Sequence, residues 1–219
     1  MPTELAISTK TCLVEQEGNV LIVTLNRPEA KNAFNPEMLL GLYKAWRLLD
    51  EDDNLHCAIL TANGDTFCAG MDLKVGPDGD QGTTQEFMDL MGTVPNIHWQ
   101  ALLRENRPCK PLLLAVEGYA LVGEHVTAQQ ALEFGLINRV VPKGETLVEA
   151  KKLAAKICAN GPLAVKAVVR SLREHTEHLA EDDAMQKSDI LAGPVFGSKD
   201  AKEGMRAFKE KRPAVFTGE

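Results

Sequence analysis

Aromatic residues are scarce in this chain. They form 5% of its 219 residues, too few for a platform on which successive bases stack. Positive charge is also in short supply. The 24 Lys and Arg against 31 Asp and Glu leave a formal net charge of −7 and a pI near 5.3. That balance excludes a long basic groove for nucleic acid and leaves room only for a local pocket around a phosphorylated ligand. No apolar run nears the ~20 residues that a membrane-crossing helix needs, so no membrane partner is expected. Met1–Lys10 has neither the basic start nor the apolar stretch of a secretion signal, and it is poor in arginine, against an import leader. A frayed start and a cytoplasmic location are expected. The five cysteines, Cys12, Cys57, Cys68, Cys109 and Cys158, are odd in number, widely spaced and without a Cys-x-x-Cys pair. They read as reduced thiols, not as a disulfide frame or a zinc site. Cys68 has no base near it in sequence and reads as a small packing residue.

With 44% hydrophobic residues, the chain suits one globular domain with a helical appendage. Cys12–Glu15 and Val20–Leu25 flank Gln16-Glu17-Gly18-Asn19, which predicts a β-hairpin. Asn26-Arg27-Pro28 ends the second strand, because Pro28 cannot donate to a ladder. Glu29–Asn35 is a polar loop, and Asn35 caps a helix with Pro36 in its first turn. Met38, Leu39, Leu42, Ala45, Trp46 and Leu49 recur at spacings of three and four along that helix.

Cys57–Thr61 is a buried strand that leads into Asp65–Lys74, the stretch around which the chain is organised. Ala69 and Gly70 let a ligand approach the main chain, and Gly70 takes backbone angles that other residues avoid. Met71 then aims its N–H outward, a good partner for negative charge developing on an oxygen, and Asp72-Leu73 begins a helix. Lys74–Thr84 reads as a lid over this turn or as a plain surface loop. Glu86–Leu103 is helical with a break near Pro95. Leu112–Val116 reads as a strand covered on both faces, and Glu117-Gly118-Tyr119-Ala120 offers a second turn at a strand end. Val126–Phe134 is a short helix capped by Thr127, Leu136–Val141 a strand, and Glu145–Ala159 an amphipathic helix. Pro162 opens another helix through Arg173. Glu174–Asp183 reads as a solvated charged face, and Met185–Leu191 and Lys199–Lys211 are further helical pieces.

Several of these stretches resemble, in order, the motifs of the crotonase or enoyl-CoA hydratase/isomerase superfamily. They are Val23-Thr24-Leu25-Asn26-Arg27-Pro28 with Asn32-Ala33, then Phe67-Cys68-Ala69-Gly70-Met71-Asp72-Leu73. Lys110-Pro111 to Ala115-Val116-Glu117-Gly118-Tyr119-Ala120 comes next. Thr127-Ala128 to Ala131, Gly135-Leu136-Ile137-Asn138-Arg139-Val140-Val141 and Arg212-Pro213-Ala214-Val215-Phe216 complete the set. The resemblance implies an α/β fold, a crotonase-like spiral of ββα units over residues 1–143 followed by a C-terminal helical region over 144–219. It also implies an acyl-CoA substrate, no separate cofactor or metal, and a homotrimer or dimer of trimers. By position, Ala30 and Lys31 would lie along the CoA, and Ala33, Ala69 and Leu73 would line its adenine pocket. Gly70 and Asp72 would border the same site. The Met71 N–H would be half of an oxyanion hole for the thioester carbonyl, and Phe216 would approach the CoA, of this subunit or a neighbour.

The resemblance has one break. In the family, Gly-Tyr-Ala leads into a glycine-rich run with the second oxyanion N–H, and two glutamates of the hydratases follow. Here Ala120 is followed directly by Leu121-Val122-Gly123-Glu124-His125-Val126, which matches a later stretch of the pattern. Several tens of residues have no counterpart. Their loss would leave Leu112–Val116 poorly covered, and marginal stability rarely tolerates that; this favours a longer polypeptide over a true shortening, and an intact mass of 23.9 kDa would decide for the shortening. Glu117 is not catalytic in the family, and Glu124 and His125 belong to a helix approach. The expected activity is hydration of a 2-enoyl-CoA. Enoyl-CoA isomerisation is the nearest alternative, and a CoA-binding pseudoenzyme without the catalytic glutamates is the non-enzymatic one.

Overall fold

The computed structural model describes residues 2–72, 85–105, 107–117, 120–121, 125–175 and 190–218. The expected Lys74–Thr84 loop and Leu73 fall outside these residues, as do Glu124 and most of the Glu174–Asp183 stretch. The Gly18-Asn19 turn joins β2 (Cys12–Glu17) to β3 (Val20–Leu25) in full antiparallel register, Cys12 opposite Leu25 and Glu17 opposite Val20. Residues 2–10 are not frayed, contrary to expectation. β1 (Thr3–Glu4) pairs with β2, and the Leu5 N–H donates to the Val14 carbonyl at 2.8 Å. The Ser8 hydroxyl bonds both backbone groups of Val14, so polar side chains too modest to signal a strand fasten the start.

The chain then crosses over through α1 (Pro36–Glu51) to β4 (Cys57–Ala62), which lies parallel to β3 with Val20 opposite Cys57 and Leu25 opposite Ala62. α1 starts where the Asn35 side chain accepts the Met38 N–H at 2.9 Å, leaving one fewer orphan donor in the first turn. Its apolar stripe, with Met38, Leu42, Ala45, Trp46 and Leu49, packs on Cys12, Val14, Leu21, Val23 and Leu25 in the main core. The Trp46 indole donates to the Ala101 carbonyl, so α3 (Ile97–Ala101) docks over α1; α2 (Gln85–Thr93) precedes it. A two-strand hairpin followed by a crossover helix is one ββα unit.

β5 (Leu112–Ala115) adds to β4 in parallel and completes the order β1-β2-β3-β4-β5. It is not covered on both faces as its apolar run predicts. Only Ala115 is buried, and Leu114 is 62% exposed. β6 (Ala120–Leu121) and β7 (His125–Val126) form a separate two-stranded ladder, so no further strand of the main sheet is seated on β5 among the described residues.

α4 (Ala128–Glu133) begins with a reciprocal capping box between Thr127 and Gln130. Leu136–Val141 is not a strand. Leu136 is 61% exposed and Val140 42%, and an apolar run without a partner edge leaves its backbone groups to water. α5 (Thr146–Cys158) covers the second face of the sheet, where Ala150 and Ala154 meet Cys57, Ile59 and Ala115. α6 (Pro162–His175), α7 (residues 190–197) and α8 (Lys199–Glu210) follow. No helix among the described residues is long and apolar enough to cross a membrane.

Candidate functional site: an exposed backbone ledge

Two loops converge beyond the ends of β3 and β4. The first passes through a short 3₁₀ turn, Pro28–Ala30, and then places Lys31 (φ 52°) and Asn32 (φ 51°) in the left-handed region. Asparagine is among the few residues that visit that region routinely. The second loop runs from Asn63 to Asp72. The two are zipped side by side. The Ala69 N–H donates to the Lys31 carbonyl at 3.0 Å, the Phe34 N–H to the Gly70 carbonyl at 2.8 Å, and the Asp72 N–H to the Phe34 carbonyl at 3.0 Å. These bonds make a parallel bridge between Phe34 and Met71.

The direction of the Met71 amide follows from that bridge. In a parallel pairing, the residues before and after the bridged one bond to the partner, while its own N–H and C=O point the other way. Gly70 and Asp72 supply the bonds to Phe34, so the Met71 N–H faces away from the first loop, and among the described residues it has no acceptor. Gly70 sits at φ 95°, and a Cβ there would meet nothing within 4 Å. Backbone conformation, not space, therefore calls for glycine at this position. Lys31, Ala69, Gly70 and Met71 are all exposed, Met71 by 52%. They form an open ledge, with the Met71 N–H as its unengaged backbone donor among the described residues.

Two buried struts hold the ledge. Arg27 pairs with Asp72 at 2.6 Å, with the side chains only 12% and 8% exposed, and the same guanidinium donates to the Ala33 carbonyl at 3.3 Å. Asn32 is fully buried. Its Oδ1 accepts the Arg27 N–H at 2.7 Å, and its Nδ2 donates to the carbonyls of Asn63 at 2.8 Å and Thr66 at 2.7 Å. One amide side chain thus ties three backbone segments together. Neither Arg27 nor Asn32 stands out as a site residue in the sequence. The sign that points to Asn32 is an asparagine inside a short polar loop flanked by turn formers; the Arg27–Asp72 pair spans 45 residues and leaves no local pattern.

Of the residues expected at the site, Ala30, Lys31, Ala33, Ala69, Gly70, Met71 and Asp72 come together here, while Leu73 lies outside the described residues. Ala33 is buried behind the ledge. Phe216 stands apart in this chain. Its ring lies over Gly161 and Gly204, where an added Cβ would come within 3.8 and 3.7 Å. Gly161 follows α5, whose last residue Cys158 meets Cys57, and Cys57 begins the strand whose other end leads to Met71. Asp200 fixes the tail there by accepting the N–H groups of Thr217 at 2.7 Å and Gly218 at 2.9 Å.

Cys68 accepts the Gly70 N–H at 3.3 Å. Burial pushes its thiol up, against the opposing pull of that backbone hydrogen bond, which suits a packing thiol and not a nucleophile. Glu117 accepts from the Gly144 N–H at 3.0 Å and from the Thr146 N–H and hydroxyl, so its carboxylate seats the start of α5. No group of three or more His, Cys, Asp or Glu side chains among the described residues is placed to hold a metal ion. A cavity of 380 Å³ lies elsewhere, lined by Glu17, Asn19, Val20, Ile22, Lys151 and Cys158 among others. It opens at the start of β3, whereas the ledge lies beyond its end.

A family model described as enoyl-CoA hydratase/isomerase matches residues 15–123 and again 90–219. The enoyl-CoA hydratase EchA19 of Mycobacterium tuberculosis is 39% identical over 261 aligned positions, covering 93% of this chain and 95% of that one. Since the chain has 219 residues in all, at least 42 of those 261 positions have no residue in it. A 2,3-dehydroadipyl-CoA hydratase of Escherichia coli is 28% identical, covering 94% and 98%. Among solved structures, an enoyl-CoA hydratase from Mycobacterium tuberculosis H37Rv superposes with a TM-score of 0.82 at 33% identity, covering 96% of this chain and 100% of that one. The enoyl-CoA hydratase EchA1 of Mycobacterium marinum gives 0.82 at 32%, with the same coverage. This chain belongs to the enoyl-CoA hydratase/isomerase family and has its crotonase fold.

Proposed function

We propose that the protein is an acyl-CoA enzyme that adds water to a 2-enoyl-CoA, with the thioester carbonyl seated against the Met71 N–H. The observation that carries this reading is the Met71 amide itself, which the Phe34–Met71 bridge turns away from its neighbours. As the thioester becomes an enolate, negative charge moves onto its oxygen, and a donor fixed beforehand stabilises it without reorganising. The exposed residues Lys31 and Ala69 support binding of an extended ligand along the same ledge, with Ala30, Gly70 and Asp72 at its border. Ala33, behind the ledge, and Leu73 belong to the adenine side of the site in this reading, and Phe216 serves the CoA of a neighbouring subunit. The assembly is a homotrimer or a dimer of trimers in the cytoplasm. Residues 1–143 form the spiral and 144–219 its helical cover, and the reaction takes no separate cofactor. Enoyl-CoA isomerisation is the neighbouring activity on the same site.

A second reading rests on a separate observation. At least 42 of the 261 positions aligned with the mycobacterial hydratase are missing, and the Glu117 carboxylate is engaged by Gly144 and Thr146. A CoA-binding pseudoenzyme would keep the ledge and lack the acid–base pair. One experiment separates the readings: turnover of crotonyl-CoA and of a 3-enoyl-CoA, alongside calorimetric binding of butyryl-CoA. Hydration of crotonyl-CoA supports the first reading, and migration of the 3-enoyl double bond the isomerase. Binding without turnover selects the pseudoenzyme, and no binding removes all three.

A further inference from the structure

The thiols of Cys57 and Cys158 face each other at 3.8 Å although 101 residues separate them in the chain. Cys57 begins β4 and is fully buried. Cys158 ends α5 and lines the 380 Å³ cavity. One sulfur is therefore open to a small solute and the other sits directly behind it. Neither belongs to the ledge, and the proposed reaction uses neither. We propose that Cys57 and Cys158 form a peroxide-reactive dithiol, in which Cys158 is attacked by a hydroperoxide from the cavity and Cys57 resolves the product as a disulfide.

The division of labour follows from the surroundings. The hydrogen bond between the two sulfurs holds the Cys158 thiol below its ordinary range, whereas the same bond and burial push Cys57 up. Either sulfur can donate in this contact, and the Cys158 thiol also reaches the Asn19 carbonyl at 3.9 Å; Cys158 is the sulfur that a solute in the cavity meets, and its thiolate is the form that reacts. The other cysteines move the opposite way. Burial takes Cys12 up to about 12, and burial also raises Cys68 and Cys109, the latter with help from Asp50.

In the first step the Cys158 thiolate attacks one peroxide oxygen. The O–O bond breaks, an S–O bond forms, and the leaving oxygen takes up the thiol proton as water or alcohol. In the second step the Cys57 sulfur attacks the sulfenic sulfur. The S–O bond breaks, the S–S bond forms, and the departing hydroxide leaves with the Cys57 proton as water. Two thiols lose two electrons and the peroxide gains them. The sulfurs close from 3.8 Å to a bond of about 2.05 Å.

The test treats the whole protein with hydrogen peroxide, blocks remaining thiols with iodoacetamide after denaturation, and maps the peptides by mass spectrometry without reduction. The expected product carries two fewer alkyl groups than untreated protein and yields a cross-linked peptide pair containing Cys57 and Cys158; dithiothreitol returns it to full alkylation. In Cys57→Ser, dimedone is expected to label Cys158. Full alkylation after peroxide, or a disulfide between any other pair, overturns the proposal. The wild-type map decides the matter even if the variant fails to fold.

Discussion

Met71 and Asn32 make different demands on the same turn. In the proposed reaction Met71 serves only through its backbone N–H, and the residue is 52% exposed. Met71→Pro removes the N–H and leaves the Phe34–Met71 bridge bonds intact, because those belong to Phe34 and Asp72. Loss of one oxyanion donor costs about 3 kcal/mol of barrier, so kcat on crotonyl-CoA should fall about 100-fold with little change in melting temperature. Steady-state kinetics and a thermal scan on one preparation check this. Asn32→Ala acts through stability instead. It strands the Arg27 N–H and the carbonyls of Asn63 and Thr66, and it puts alanine at φ 51°. A buried group left unpaired costs about 1–3 kcal/mol, so urea denaturation should show a loss at the upper end of that range, with weaker acyl-CoA binding as the ledge loosens. An unchanged midpoint would mean that the two loops do not depend on this amide.

At the scale of elements, α1 approaches β2 closely because Gly41 has no side chain. A Cβ there would stand 2.6 Å from Cys12 Cβ and 2.9 Å from its sulfur. Gly41→Ala should therefore destabilise by about 1–3 kcal/mol through overpacking, although alanine favours a helix by about 1 kcal/mol over glycine; chemical denaturation gives the sign. The C-terminal tail depends on charge instead. Arg212 clasps Glu203 at 2.6 Å and the Val215 N–H donates to the same carboxylate at 3.1 Å. These bonds, Arg212 first, hold Glu203 at about 2, below its ordinary 4.5. A depressed carboxylate stabilises above its unfolded pKa and loses that contribution as pH falls through the folded one. Hydrogen-exchange protection of the Val215 amide should therefore be full above pH 4.5 and vanish towards pH 2, and Glu203→Gln should flatten the profile. The elements readable in the sequence were those with both a pattern and a stop. β3 lies between Gly18-Asn19 and Pro28, and α1 carries its Asn35 cap and its apolar stripe. Leu136–Val141 has the composition of a strand, but a strand exists only beside a partner edge, and composition does not encode the partner. The ledge was legible in its glycine and small residues. Its struts were not, because Arg27 meets Asp72, and Asn32 meets Asn63 and Thr66, only after both loops have folded.

For the whole molecule, the open face of β5 has a physical consequence. β5 closes the sheet, yet three of its four residues are not buried and Leu114 is 62% exposed. The near-continuous apolar run Leu112–Val116 was composed for a strand with neighbours on both faces. The second core, behind the sheet, is correspondingly thin, with alanines at Ala115, Ala150 and Ala154. An apolar edge strand with unpaired backbone groups is a template for another chain. The protein should therefore self-associate at the β5 edge more readily than its family's fold requires, and the effect should be removable without touching the ledge. Leu114→Lys places a charge on that edge at a site already open to water, where a substitution changes stability by about 0.5 kcal/mol or less. Light scattering over a concentration series should show less self-association in the variant at an unchanged melting temperature. A lower melting temperature instead would mean that Leu114 is packed against something in solution, and so that β5 is covered in the working protein.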